Sequence, residues 1–288
     1  MNFSSFVDQA WADHAEKSLQ VAASLKEIVP SITKQDQIPA LVSLIVHVFG
    51  EHLGEWSEGL SLLEKLQAQA DSAEQRNTIY RSIAALRLAG GWIENVDDLM
   101  NSDQIRVLCV ASSALLGQGQ VERASKYFSG ALELAEEGLG DEDPAHRSLA
   151  VTGNNLAAEL ELRTNRSPLE TQLMVSAARA ALKHWLIAGQ WPEQQKAQYR
   201  LSKSLFAAGM NVEALEAAMS CLAICKTHAA GAYDLFWANE AVATVIHATK
   251  PSAFIEYLKN MRENFERLKE DEKPWCEPRL KVLEESPA

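Results

Sequence analysis

Apolar residues recur every three or four positions along most of the chain, the spacing of helices that bury one stripe. Runs that alternate residue by residue, as a half-buried strand requires, are few, so the pattern predicts an all-α protein. Three segments align without gaps: 40–67 (ALVSLIVHVFGEHLGEWSEGLSLLEKLQ), 105–132 (IRVLCVASSALLGQGQVERASKYFSGAL) and 195–222 (QKAQYRLSKSLFAAGMNVEALEAAMSCL). Each is a helical run, a corner near the fifteenth place and a second helical run. Gly54 and Gly209 stand at that corner, and in the middle copy Gly117 and Gly119 bracket Gln118. A helix that stops sharply and doubles back favours glycine, which enters the left-handed region at little cost. Five places on stand Gly59, Ala124 and Ala214, small enough for two helices to approach closely. Leu63 and Phe128, four further on, fill the groove between them, whereas Ala218 does not.

Weaker copies occupy the intervals. Residues 72–91 read as a first helix and 92–100 as a short second one. Residues 146–164 lead through a turn at 164–168 to a helix ending near 188, and 231–248 lead through 249–251 to a helix ending near 269. Corners therefore fall near 54, 90, 119, 166, 209 and 250, giving about six antiparallel helix hairpins of uneven period. A helix over 4–29 and a charged tail from Asp271 are expected to cap the ends, as stacked repeats require. The expected domains are a capping helix and linker (1–37), the repeat domain (38–270) and the charged tail (271–288).

Glycine at the corner, a small residue five on and Ala131 near the end of the second helix resemble the tetratricopeptide repeat (TPR). The stretch Leu139-Gly140-Asp141-Glu142-Asp143-Pro144, followed by Ala150 and Asn154-Asn155-Leu156-Ala157, resembles the longer repeat of kinesin-light-chain-type proteins. The resemblance covers about 38–270 and is strongest at 105–160 and 195–222. His47 departs from it by occupying a usually small place, and the fourth and sixth corners lack glycine. It implies a right-handed α-solenoid whose concave groove is lined by the first helix of each hairpin. The residues so placed are Asn77, Tyr80 and Arg87; Arg106, Cys109 and Ser113; Asn154, Asn155 and Ala158; and Lys196, Tyr199, Arg200 and Lys203. Asn155, Lys196 and Arg200 match three of the five places with which some TPR domains clamp a terminal carboxylate. Cys109 and Ser113 stand where that family has Lys and Asn.

Composition narrows the function. Apolar residues make up 47%, enough for a sizeable core, and 14 Gly and 9 Pro leave long helices uninterrupted. A net charge of −12 disfavours nucleic acid, whose binders carry a basic footprint. The groove set is nevertheless basic and amide-rich, and Lys196 and Arg200, four apart, share one helix face. Cations and amides that converge can hold a carboxylate through charge-assisted hydrogen bonds. The expected function is a non-catalytic scaffold holding a protein or peptide segment, acidic or C-terminal, in that groove. The alternative is a ligand- or peptide-responsive regulatory protein. No membrane partner is expected: no apolar run reaches spanning length, and the N-terminus lacks the basic and apolar regions of a signal peptide. Four cysteines (Cys109, Cys221, Cys225, Cys276) are too few for a disulfide framework and suit the cytoplasm. A homodimer covering Phe3, Phe6, Trp11 and Leu19 on the first helix is a further expectation.

No catalytic constellation stands out: GxGxxG, GxxxxGK[ST] and GxSxG are all absent. Cys221, Cys225 and His228 offer thiols and an imidazole on one helix, but with no evident fourth ligand they read as core packing. His47, Glu51 and His52 have zinc-type chemistry. In a regular α-helix, however, a five-residue spacing turns the second ring roughly 140° from the first. Neither metal nor cofactor is therefore expected. The acidic run Glu133, Glu136, Glu137, Asp141, Glu142 and Asp143 reads as a solvated edge. Trp191 and Trp275, each beside a proline, read as exposed anchors.

Overall fold

The computed structural model describes residues 2–32, 34–247 and 251–285, and among them every regular element is a helix. They form two compact units, 1–152 and 153–288. In the first, α1 (Phe3–Asp13) and α2 (Ser18–Ile28) precede two 3₁₀ turns, Val29–Ser31 and Gln35–Gln37. α3 (Ile38–Ile45) continues as a π-helical segment, Val46–His52, before the chain returns as α4 (Trp56–Gln69). α5 (Ala73–Gly90) packs against α4 and against α6 (Asn101–Gly117), which pairs with α7 (Val121–Glu136). The division falls within α8 (Ala145–Leu162). The second unit continues with α9 (Pro168–Ala188), α10 (Trp191–Ala207), α11 (Asn211–Thr227), α12 (Ala232–His247), α13 (Pro251–Glu266) and α14 (Lys273–Glu284).

The corner glycines behave as their chemistry dictates. Gly54, Gly119 and Gly209 have φ of +65°, +71° and +77°, the left-handed region that other residues enter at a cost. Two copies share a second device. Ser112 Oγ donates to Ala124 O and Ser202 Oγ to Ala214 O, both at 2.8 Å and fully buried, tying each first helix to the small residue of its second. In the first copy the serine's place is held by His47 and the alanine's by Gly59. There the helix is π-helical, and Phe49 instead lies against Gly59.

The π segment leaves carbonyls that need partners. Trp56 Nε1 donates to Gly50 O at 3.0 Å and Gln118 Nε2 to Glu51 O at 2.7 Å. Gly117 lies so close that a Cβ there would stand 2.3 Å from Glu51 O. Leu25, Ile38, Leu41, Phe49, Leu63 and Ile79 centre the first unit's core. In the second unit one cluster gathers Cys221, Leu222, Val242 and Ile246, and another gathers Phe236, Phe254, Met261 and Leu280.

Several elements differ from the sequence reading. The expected helix over 4–29 is two helices, broken where the polar stretch Asp13–Lys17 closes on itself through an ion pair of 2.8 Å. Residues 92–100 form no regular helix. Left-handed Gly91 ends α5, and the Asn95 side chain accepts from the backbone N of Asp97 in a turn. The region from Asp271 is more than a charged tail, because α14 buries Cys276, Leu280 and Leu283 at helical spacing. Asp143 of the acidic run is not simply solvated: it accepts from Ala145 N at 2.8 Å and from Ser102 Oγ at 2.6 Å, starting α8. The corner expected at 249–251 falls largely on residues 248–250, which lie outside the described residues. Phe3 and Phe6 pack onto the first unit's core, leaving Trp11 and Leu19 as the exposed part of the face expected to dimerise.

Candidate functional site

α10 begins with Pro192 in its first turn, while the Glu193 carboxylate accepts from Gln190 N at 3.1 Å. It buries Gln195, Ala197, Leu201, Ser202 and Leu205, which turns Lys196, Tyr199, Arg200 and Lys203 onto its other stripe. α12 sets Tyr233, Asp234, Trp237 and Glu240 along one helical stripe of its own. The two helices are the first members of successive hairpins. Gln195, Lys196, Tyr199, Arg200, Tyr233, Asp234 and Trp237 line a cavity of about 340 Å³ between them. Trp237 meets Tyr199 and Tyr233 edge to face, with ring centres 6.0 and 6.2 Å apart.

Beside the cavity lies a buried ionic cluster. Glu240 has no solvent exposure and accepts from Tyr199 Oη (3.0 Å), Lys203 Nζ (2.9 Å), Thr244 Oγ1 (2.9 Å) and Arg279 Nε. Burial pushes its pKa up, but the two cations outweigh that and hold it below the ordinary carboxylate value. The Tyr199 phenol is raised, first by burial and then by the Glu240 charge. Lys203, expected as a groove cation, is thus committed to Glu240. Arg200 is engaged as well: its guanidinium donates to Glu161 Oε2 at 2.7 Å. Lys196 is exposed and forms no ion pair among the described residues, although its charge opposes the burial that raises Asp234. Three buried polar atoms of cavity residues have no partner: Trp237 Nε1, Arg200 Nε and Gln195 Oε1.

The other expected groove residues are placed as follows. In the second unit Asn155 is exposed, while Asn154 and Ala158 are half-buried. In the first unit Asn77 and Tyr80 are exposed, and Arg87 pairs with Glu64 of α4 at 3.3 Å. Arg106 shares Asp103 with Arg81 and Ser113 is half-buried. Cys109 is a correction: it is buried rather than open, and burial pushes its thiol up to about 12. Cys221 and Cys225 are also buried, and the His228 ring stacks on Trp191, 5.2 Å away and 6° from parallel. Trp191 is therefore not a free anchor, whereas Trp275 is 74% exposed. The sequence reading missed Tyr233, Trp237 and Glu240. Their signal was the 233/237/240 stripe, four and three apart, a helical face like that of 196/199/203, three and four apart, one hairpin earlier.

A second cluster lies in the first unit. His14, His47 and His52 offer nitrogens that all lie within 4.8 Å of one another, the one group of potential metal ligands of this kind among the described residues. The expectation that a five-residue spacing separates His47 from His52 fails because they sit in a π-helix. Its i→i+5 bonding, seen in Leu53 N to Val48 O at 3.0 Å, brings such residues onto one face. His14 was invisible as a member, because it arrives from the end of α1, 33 residues earlier in the chain than His47.

No family model matches the chain, and no curated protein does. Among solved structures it is similar to a Podosopora anserina protein named for kinesin light chain, with nearly identical TPR-like repeats. The identity is 14%, 81% of this chain and 97% of that one are covered, and the TM-score is 0.51. BtubC (BKLC) of P. vanneervenii aligns over 99% of this chain and 91% of its own, at 14% identity and a TM-score of 0.46. At such identities likeness shows the fold alone. With its helix pairs and left-handed corner glycines, the chain has the TPR-like helical-repeat fold of kinesin-light-chain-type proteins.

Proposed function

We propose that this chain is a non-catalytic protein-interaction module that holds a peptide segment between α10 and α12, through an acidic side chain or a terminal carboxylate. TPR-like folds commonly serve interaction, but fold alone does not assign it. One observation carries the reading: a cavity walled by Tyr199, Tyr233 and Trp237 also carries the Lys196 ammonium without an ion pair, and two of its lining residues, Arg200 and Trp237, each hold a buried donor without a partner. Buried polar groups are normally satisfied, so unmatched ones mark a place where a ligand can complete the set. A carboxylate accepts from Lys196 and from the guanidinium and indole N–H groups, while the rings cover an adjoining apolar side chain. The volume suits one or two anchoring residues, near the lower end of the range of about 300–1,000 Å³ for ligand pockets. The four free, buried cysteines support a reducing, cytoplasmic setting.

The test is selection from a displayed library of random C-terminal peptides, followed by calorimetry of the best binder at two salt concentrations. The expected binder carries a free carboxylate and weakens when it is amidated and as salt rises. Lys196→Ala and Trp237→Ala should each lower affinity about tenfold, the loss typical of an interface anchor. Failure to enrich any sequence, or affinity in both variants unchanged from the wild type, would reject the proposal.

A further inference from the structure

We propose that His14, His47 and His52 bind a divalent transition cation, zinc foremost, and that this ion fastens α1 to the π-helical segment. The inference concerns the first unit and is independent of the peptide site.

The ring nitrogens are already sorted for the task. His47 Nδ1 lies 2.9 Å from Glu51 Oε2, and His14 Nδ1 lies 2.5 Å from Trp11 O. A carboxylate and a carbonyl only accept, so each Nδ1 carries the proton and each Nε2 presents a lone pair. An imidazole oriented by a carboxylate or a backbone carbonyl is the usual state of a histidine that ligates a metal. His47 Nε2 and His52 Nε2 are 3.1 Å apart. Two nitrogens at zinc–nitrogen bond length, about 2.05 Å from a tetrahedral ion, stand about 3.3 Å apart. The third ligand nitrogen lies within 4.8 Å of both.

Three further observations converge on the cluster. The rings gather with centres 4.7–5.1 Å apart, His52 edge-on to the other two and His14 tilted to His47, although none of the three is buried and no apolar gain requires them to gather. The backbone beneath them is a π-helix, a rare conformation frequent at functional sites, and here it is what brings His47 and His52 together. Trp11 then covers one side, its ring 5.4 Å from His14 and 5.3 Å from His47. Three neutral imidazoles with no thiolate suit zinc, copper(II) or nickel(II), not calcium or magnesium. Water would complete the coordination, as it does where a protein supplies three ligands.

The test uses the full chain, free of any affinity tag and stripped with chelator. Zinc chloride is titrated by calorimetry, and cobalt(II) is followed by its visible absorption. One equivalent of zinc per chain is expected, together with the intense cobalt bands of a tetrahedral site. His14→Ala, His47→Ala and His52→Ala should each weaken binding at least tenfold while keeping the helical circular dichroism spectrum. Glu51→Gln should weaken it less, since it acts through His47. Copper(II) should quench part of the tryptophan fluorescence, and Trp11→Phe should remove that part. Absence of a saturable equivalent in the wild-type chain overturns the proposal. So does a zinc equivalent that survives all three histidine variants, which would place the metal elsewhere, for instance at Cys221, Cys225 and His228.

Discussion

Glu240 sits in a helix whose neighbours Ala238, Ala241, Val242 and Ala243 are all fully buried, and it shares their burial. A carboxylate so placed is tolerated only because Lys203 and Arg279 surround it. Removing it leaves two cations without their counter-charge, so Glu240→Ala should cost about 3 kcal/mol or more in urea unfolding, the scale of a broken buried pair. Its folded pKa lies below the unfolded value of 4.5. The stabilisation it provides is therefore complete above about pH 4.5 and is lost as pH falls through the lower, folded value. Unfolding free energy measured from pH 7 to pH 3 should drop more steeply below pH 4.5 in the wild type than in Glu240→Gln. An equal slope would contradict the assignment. The sequence made Lys203 look like a free groove cation, because its partner lies 37 residues further on in a different helix. Its one hint was an acid set among the mostly apolar residues 235–246.

At the scale of elements, the hydrophobic period and the corner glycines were sufficient to place the main hairpins. Gly54, Gly119 and Gly209 all adopt the left-handed conformation their spacing predicts. What the period could not supply was a change of period. The π segment Val46–His52 aligns without a gap on the other two copies, so the repeat pattern does not mark it, and its carbonyls find partners outside it in Trp56 and Gln118. α14 was hidden for a related reason, since charged residues and Pro278 obscure a stripe of just three apolar positions. Two glycines separate general helix propensity from this specific contact. Gly130, inside α7, has only Leu108 within reach at 3.9 Å, so Gly130→Ala should stabilise by about 0.5–1 kcal/mol. Gly117→Ala must push against the Glu51 backbone and should destabilise by about 1–3 kcal/mol, as overpacking does. Thermal unfolding of the pair should therefore move in opposite directions. A shift of the same sign would mean that α6 does not rest on the π segment.

For the molecule as a whole, the TPR-like class was legible because it follows from local periodicity, which every hairpin repeats. The sites were less legible because each joins residues that are far apart in sequence. Tyr233 and Trp237 meet Lys196 and Tyr199 only when α12 packs beside α10, and His14 meets His47 only when α1 folds back. The groove cations inferred from the resemblance are also less available than a linear reading suggests. Arg200 and Lys203 are matched internally, leaving Lys196 and the unpaired N–H groups beside it as the receptive chemistry. The central claim is that this place receives a carboxylate-bearing peptide. Its most direct test is the indole N–H resonance of Trp237, assigned with Trp237→Phe, in a nitrogen-15 spectrum recorded while the selected peptide is added. The account predicts that this resonance moves saturably with the free-acid peptide and stays in place with its amidated form. A peptide that binds while the Trp237 signal remains still would contradict it.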